Sequence, residues 1–512
     1  HPVGNDYGGE SGRCSSTAGH FNPFVNVDTK YDQCSYAHPL RCEVGDLSKK
    51  MQPADIADAS GSSTKYFFTD PFLPLSGAYS VSARSIVVHV EGKGAPRYAC
   101  ANLYAVPSMS LRTGDWDGAS RPTGSITLTQ DSEYDASAIT VSLPSFTGDW
   151  FLHTLPIDRD SPAGSCTLLS LHDRYNPFEV TDPPGGASAT HDAYKVGDLA
   201  GKFGPLDGSA TVSYRDSNLP LYGPRSVAGR SLVVRTASGQ TACTNIDHAL
   251  AAGDFSLQAR ASFQDQPSGD VTFTQIRFAS GYTGDTTLLV DLVSDEDGME
   301  YRMHVADECT MESPFNPYWI DTTTGACSTS HMKVCCVGDL AGKHGVAISN
   351  QRALFTDINL PLFGLRSVIG RSLVVGDGAG TRRCSRIEPD EESGRRLVHV
   401  FPSAKSFEPY EFQTVLASAI AGDNSWQVVT SEKPEPLAEY PGCATVGFWV
   451  IGPNVQEMVN HYDSAVNRPG NFDTYEPTKE CIAAAFGGST RLGPLGSVLL
   501  LLLLCTHLLL TV

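Results

Sequence analysis

Charge is scarce in this 512-residue chain, where 18% of residues are charged against roughly a quarter in an ordinary soluble domain. Basic residues are scarcer still, 37 Lys and Arg against 57 Asp and Glu, for a net charge of -20. No nucleic-acid partner is expected, because phosphate neutralisation needs a basic excess. So few charges also argue against a coiled coil and a charge-driven disordered chain, and no Gly-X-Y period is present to form collagen. The chain has no Gly-x-Ser-x-Gly, phosphate-binding loop, His-Glu-x-x-His or dinucleotide fingerprint, which removes the common hydrolase, NTPase, zinc-protease and dehydrogenase signatures. It also has no Asn-x-Ser/Thr sequon, so N-glycosylation is not expected.

What is present points to a secretory compartment. Fourteen cysteines would all have to stay reduced in a cytosolic chain. Nothing near His1 resembles a secretory signal, so the chain reads as a mature form or a fragment. At the other end, small residues including Gly487, Gly488 and Ser489 precede a short spacer and the apolar stretch Val498 to Val512. That pattern matches the signal removed when a GPI anchor is attached, with Gly487, Gly488 or Ser489 as the attachment residue. A short C-terminal membrane helix is the alternative, although 15 apolar residues without a basic stop fall short of a typical span.

Internal repeats set the architecture. Val-Gly-Asp-Leu occurs at Val44 to Leu47, Val196 to Leu199 and Val337 to Leu340. Asn218-Leu-Pro-Leu221 and Asn359-Leu-Pro-Leu362 match the looser Phe72-Leu-Pro-Leu75. Arg84-Ser-Ile-Val-Val88, Arg230-Ser-Leu-Val-Val234 and Arg371-Ser-Leu-Val-Val375 follow, each closed by a cysteine, Cys100, Cys243 or Cys384. Those cysteines lie 143 and 141 residues apart, which makes one repeat a domain. Short β-branched runs separated by Gly, Pro and Asp clusters, without sustained helical periodicity, predict an all-β sandwich or barrel of antiparallel strands. The expected units are 1–105, 116–248 and 258–388, followed by a degenerate fourth module or stalk at 389–486 and the tail at 487–512. The first unit matches the others only from about their thirty-fifth residue onward. The acidic run Glu388 to Glu392 reads as a linker, and Arg382-Arg383 and Arg395-Arg396 as solvated basic pairs. Cys14, Cys166 and Cys309 pair naturally with Cys100, Cys243 and Cys384; Cys34 with Cys42, Cys327 with Cys335, and Cys443 with Cys481 complete six pairs. Cys336 and Cys505 are left over, and sequence alone leaves the connectivity open.

In the first unit, Cys14 is followed by Gly19-His20-Phe-Asn-Pro, then Gly45-Asp46-Leu47, Arg84-Ser-Ile-Val-Val-His89 and Arg97-Tyr-Ala-Cys100. These ordered motifs resemble the copper/zinc superoxide dismutases, and more narrowly their extracellular copper-only, GPI-anchored relatives. The resemblance implies tandem Greek-key β-sandwich or barrel domains of the dismutase type. It implies that His20 and His89 are copper ligands and that Arg97 attracts superoxide. Glu43 stands where zinc enzymes place a histidine and would bond the copper-facing His20, with Asp46 as a retained aspartate beside the site; copper without zinc is therefore expected. The two further copper ligands of the family come from a His-x-His strand just ahead of the position of Pro2. His38 is a possible stray ligand, more readily read as a solvated loop residue.

The other units depart from this pattern. The second has Phe151-Leu-His153, Arg235 and Gln240 at the equivalent positions, with His172 six residues after Cys166 and Arg174 at the place set by Tyr-Asn-Pro-Phe; the third has Arg302-Met-His304, Pro314, Gly376 and Thr381. The expected function is a cell-surface, copper-dependent superoxide dismutase active in the first unit. The alternative is a non-catalytic extracellular binding or structural protein.

Overall fold

The computed structural model describes residues 14–23, 34–35, 38, 41–51, 66–70, 73–75, 80–82, 84–90, 96–161, 164–181, 189–309, 313–317, 327–332, 335–364, 366–377, 380–403, 407–422, 424–438 and 440–486. Gly487, Gly488, Ser489 and the apolar tail lie outside them. Among the described residues, no helix is long and apolar enough to cross a membrane. The architecture is mostly antiparallel β-sheet with few helices. The chain divides into two compact bodies, one built on His1–Val106 with Ser280–Tyr282 and Asp321–Ala326, the other on the remaining residues.

In the first body, the described sheet is a hairpin of Ser85–His89 against Arg97–Asn102. The β-branched run Ile86-Val87-Val88 favours the pleated backbone, and Cys14 is disulfide-bonded to Cys100 on the second strand. A second disulfide, Cys34–Cys42, closes an eight-residue separation just ahead of Glu43. The short helix Leu47–Met51 follows.

The second body contains the same strand order twice. In its first half, 212–216, 137–142, 125–130, 109–113 and 246–248 lie side by side. The strand Thr241–His248 then carries the sheet on into Ser231–Arg235, Thr147–His153 and Leu206–Asp207, so that the sheet curls on itself. In the second half, 353–357, 286–293, 268–277, 255–263 and 388–389 form one sheet. A second sheet is formed by 347–348, 300–306, 372–377 and 382–386. Chain-consecutive strands thus cross between sheets, as Greek-key connections do. Alternation sets the core: along Phe255–Phe263, Leu257, Ala259, Ala261 and Phe263 are buried and meet Val271, Phe273, Val290 and Val375, as a period of two requires. Glu388 and Pro389, expected in a linker, pair with Arg260 and Ala259 and so close the sheet. Disulfides join Cys166 to Cys243, Cys309 to Cys384, Cys327 to Cys335 and Cys443 to Cys481. Cys336 is unpaired and buried.

Residues 394–486 are α+β. The strand Tyr440–Ile451 lies between Gly394–Pro402 on one side and Val428–Val429 and Glu435–Leu437 on the other. Its alternation serves two cores: Val446, Phe448 and Val450 meet the helices Pro409–Ile420 and Val455–Val466, while Trp449 and Ile451 join the core of the preceding sandwich. The helix Val455–Val466 buries Val455, Met458, Val459, Tyr462, Ala465 and Val466, the spacing of a helical stripe. Arg396, expected to be solvated, pairs with both oxygens of Glu432.

This module holds a fully buried histidine. His399 Nε2–H donates to the Tyr475 carbonyl at 2.8 Å, and Nδ1 faces the Tyr462 hydroxyl at 3.1 Å. Burial among Phe401, Phe412 and Phe472 pushes the imidazole down to about 4 from 6.5, with the bond to the Tyr475 carbonyl and then Glu476 acting in the opposite sense. The unfolded chain therefore takes the proton first on acidification. Stability is fully present above pH 6.5 and is lost as the pH falls towards 4, by about 3 kcal/mol from this residue. Urea midpoints of wild type and His399→Gln compared at pH 7 and pH 4 measure this; equal pH dependence in the two proteins contradicts it.

Candidate metal centre

The site in the first body is built on the loop that the Cys14–Cys100 disulfide holds to the hairpin. Arg97 donates from Nη1 to the Cys14 carbonyl at 2.5 Å and from Nη2 to the Ala18 carbonyl. These bonds hold the guanidinium in place without neutralising it. Beyond the loop, the Gly45 N–H donates to the Phe21 carbonyl at 2.9 Å. A side chain at Gly45 would start 2.7 Å from the Phe21 nitrogen, so only glycine allows this approach. Arg84 stacks on the Phe21 ring, 4.2 Å from its centre.

His20 is thereby brought against Glu43. The Nδ1–H of His20 donates to Glu43 Oε2 at 2.8 Å, and Asn22 Nδ2 donates to the other carboxylate oxygen at 3.2 Å. A carboxylate only accepts, so this bond assigns the proton to Nδ1 and the ring's lone pair to Nε2. His89 ends the first strand of the hairpin at a register shift, directly opposite Arg97, and a bulge of this kind re-aims a side chain. His20, Asp46, Arg84 and His89 line one cavity of about 100 Å³. Glu43 and Arg97 are not among its lining residues: Glu43 bonds His20, and Arg97 is the cross-strand partner of His89.

Asp46 serves the local backbone, its Oδ1 accepting from the Lys49 N–H at 3.1 Å as a helix cap does. Asp198 and Asp339 do the same for Gly201 and Gly342. His38 is exposed, with Nδ1 3.2 Å from the Ser35 hydroxyl, and does not line the cavity. Among the described residues, no group of three or more His, Cys, Asp or Glu forms a metal-binding cluster. The donors that line the cavity are two imidazoles and the Asp46 carboxylate, with no thiolate; imidazole nitrogen suits copper among other transition metals.

The second body repeats the framework with different side chains. Gly197 bonds Tyr175 at 2.8 Å and Gly338 bonds Phe315 at 2.9 Å, while Arg230 and Arg371 stack on those rings at 3.7 and 3.6 Å. The residue before the aromatic ring, His20 in the first copy, is Arg174 and Pro314 in the others. Arg174 lies 3.7 Å from the centre of the Phe151 ring and pairs with Asp198 at 3.2 Å; Arg235 lies 5.3 Å from the same ring and pairs with Asp149 at 2.9 Å. Two guanidinium groups thus approach the Phe151 ring. His153 is buried, which lowers its pKa, and its Nδ1 bonds the His172 carbonyl at 2.6 Å. It is a packed structural histidine.

Two features of the site are not expected from the sequence. Asn22 secures the second oxygen of Glu43. Lys50, Lys202 and Lys343 are buried and ion-paired with Asp70, Asp216 and Asp357. A signal for the lysines does exist in the chain, as each stands three residues after the leucine of Gly-Asp-Leu.

No family model matches the chain. Three curated proteins named superoxide dismutase [Cu-Zn] are similar to it. That of Cryptococcus neoformans var. grubii is 31% identical over 121 residues, covering 24% of this chain and 75% of that protein. That of Schizosaccharomyces pombe is 30% identical over 118 residues, covering 22% and 71%. That of Cordyceps militaris is 32% identical over 121 residues, covering 23% and 72%. Among solved structures, an Asp-to-Asn variant of superoxide dismutase 5 of Candida albicans matches with 22% identity and a TM-score of 0.23, covering 28% of this chain and 94% of that one. With such coverage and identity to three dismutases, this chain belongs to the copper/zinc superoxide dismutase family.

Proposed function

We propose that this chain is a cell-surface, copper-dependent and zinc-free superoxide dismutase whose site is in the first repeat. The observation that carries the reading is the His20–Glu43 hydrogen bond at 2.8 Å beside His89, with Arg97 opposite His89 on the hairpin. His20 and His89 would hold the metal, joined by the two imidazoles that the family resemblance assigns to a His-x-His strand. Bound copper would supply one-electron redox chemistry, by which two superoxide anions and two protons would become dioxygen and hydrogen peroxide. Arg97 offers a fixed positive charge to a small anion in an acidic protein. Glu43 holds the tautomer of His20 that leaves Nε2 as the metal-facing donor. Its position and the helix-capping role of Asp46 support a site without zinc.

The second and third repeats are read as non-catalytic modules for binding or shape, since Arg174 and Arg235 occupy one cradle and Pro314 and Gly376 the other. The units are proposed at 1–105, 116–248, 258–388 and 389–486. The tail is proposed as a lipid-anchor signal with attachment at Gly487, Gly488 or Ser489, in keeping with a disulfide-rich chain in an oxidising compartment. Copper content and superoxide turnover of the whole protein, compared with His89→Ala, test the enzyme reading. Release from membranes by a phosphatidylinositol-specific phospholipase tests the anchor, and retention refutes it.

A further inference from the structure

One buried charge in the first body has no part in the chemistry proposed above. The Lys50 ammonium, 1% exposed, donates to the Val44 carbonyl at 2.8 Å and lies 2.5 Å from Asp70 Oδ2, itself 4% exposed. Val44 directly follows Glu43, the residue that holds His20.

The same arrangement recurs in the second body. Lys202 donates to the Val196 carbonyl at 3.0 Å and to Asp216 at 2.8 Å. Lys343 donates to the Val337 carbonyl at 2.8 Å and pairs with Asp357 at 2.5 Å. All four of these side chains are 0% exposed. The residue ahead of the clamped valine differs each time: Glu43, Lys195 and Cys336. The ion pair is therefore indifferent to the residue carried beside it. It fixes a stretch of backbone, and in the first copy that stretch carries a carboxylate aimed at an imidazole.

We propose that Lys50 is a positioning residue for His20. Its ammonium ties the Val44 carbonyl to Asp70 and so sets the backbone from which Glu43 reaches Nδ1 of His20. Without it, the buried Val44 carbonyl and the Asp70 carboxylate both lose this donor, and the link that ties the one to the other is gone. A glutamate side chain spans its 2.8 Å bond to His20 only from a narrow range of backbone positions. Any consequence for copper rests on the reading of His20 as a ligand; the placement of His20 by Lys50 does not.

The test is read first on the metal-free whole protein, by nitrogen-15 NMR of the imidazoles. Wild type is expected to show His20 in the Nδ1–H tautomer. Lys50→Met should shift it to a mixture of both tautomers, and Asp70→Asn should shift it in the same direction by less. Lys202→Met, which removes the equivalent charge in the second body, should leave the His20 signals unmoved. The second readout is copper affinity, measured by competition with a chelator. Lys50→Met should weaken it by about 10–100-fold, the range for loss of an outer hydrogen-bonding partner, and Glu43→Gln combined with it should add little, because the two act through one bond. Should Lys50→Met not fold, Asp70→Asn decides. An unmoved His20 tautomer in the folded variants overturns the proposal. A wild type that shows the Nδ1–H tautomer yet binds no copper refutes the dismutase reading and leaves the positioning role standing.

Discussion

Exchange of His89 for alanine is expected to lower superoxide turnover at least about a thousandfold, which corresponds to ~4 kcal/mol of lost transition-state stabilisation. It should also take the copper content of the protein close to zero. His89 and His20 are the two imidazoles that line the cavity, and alanine removes one donor without altering the Glu43 bond or the disulfide behind the site. The internal control is Arg235→Ala, at the equivalent place in the second repeat. There the side chain pairs with Asp149 and packs on Phe151, and its loss should change neither copper content nor rate. Arg97→Gln should have an intermediate effect: copper retained, turnover lowered about tenfold or more, and the dependence of rate on ionic strength flattened, because a steering charge acts through screened attraction. Stopped-flow turnover with metal analysis on the same samples distinguishes these cases. Equal rates for wild type and His89→Ala would place the activity elsewhere or nowhere in this chain.

The second large effect concerns stability. Lys343→Met should destabilise the second body by about 3–5 kcal/mol, the range for removing one partner of a buried ion pair. Asp357 is buried; burial alone would raise its pKa, and the Lys343 ammonium with His344 brings it below the ordinary carboxylate value. Methionine fills the space of the lysine stem but leaves that carboxylate to His344, 3.0 Å away. The Val337 carbonyl loses its donor as well. Lys343→Met combined with Asp357→Leu should recover much of the loss, since a buried pair replaced as a whole by apolar groups costs little. Denaturant midpoints of the four proteins form the cycle. A loss below about 1 kcal/mol for Lys343→Met would mean that the pair is hydrated and unimportant.

Much of the candidate site is legible in the chain itself. Gly45, Gly197 and Gly338 recur because each meets the backbone of an aromatic residue where no Cβ fits. Arg84, Arg230 and Arg371 recur because each stacks on that aromatic ring. These constraints act over short contacts between fixed motifs, so they leave periodic marks in the sequence. The lysine–aspartate pairs leave a weaker mark, since the partner stands 14 residues away in one copy and 20 in another, and lysine at a surface turn reads as solvated. The helices of residues 394–486 do leave a mark, the stripe from Val455 to Val466 at helical spacing, in a segment for which the repeats offer no template.

The sequence by itself pointed to the family, to the β character of the three repeats and, through the family resemblance, to the candidate ligands His20 and His89. The first two follow from motifs and their order along the chain, and the third from what that resemblance implies. Tertiary structure alone decided that Asn22 secures Glu43, that Arg97 faces His89 across a hairpin, that two guanidinium groups flank Phe151, and that Tyr440–Ile451 serves two cores. Each depends on strand register and on which face of a sheet is buried. A shift of one residue reverses both, and no residue spacing along the chain records it.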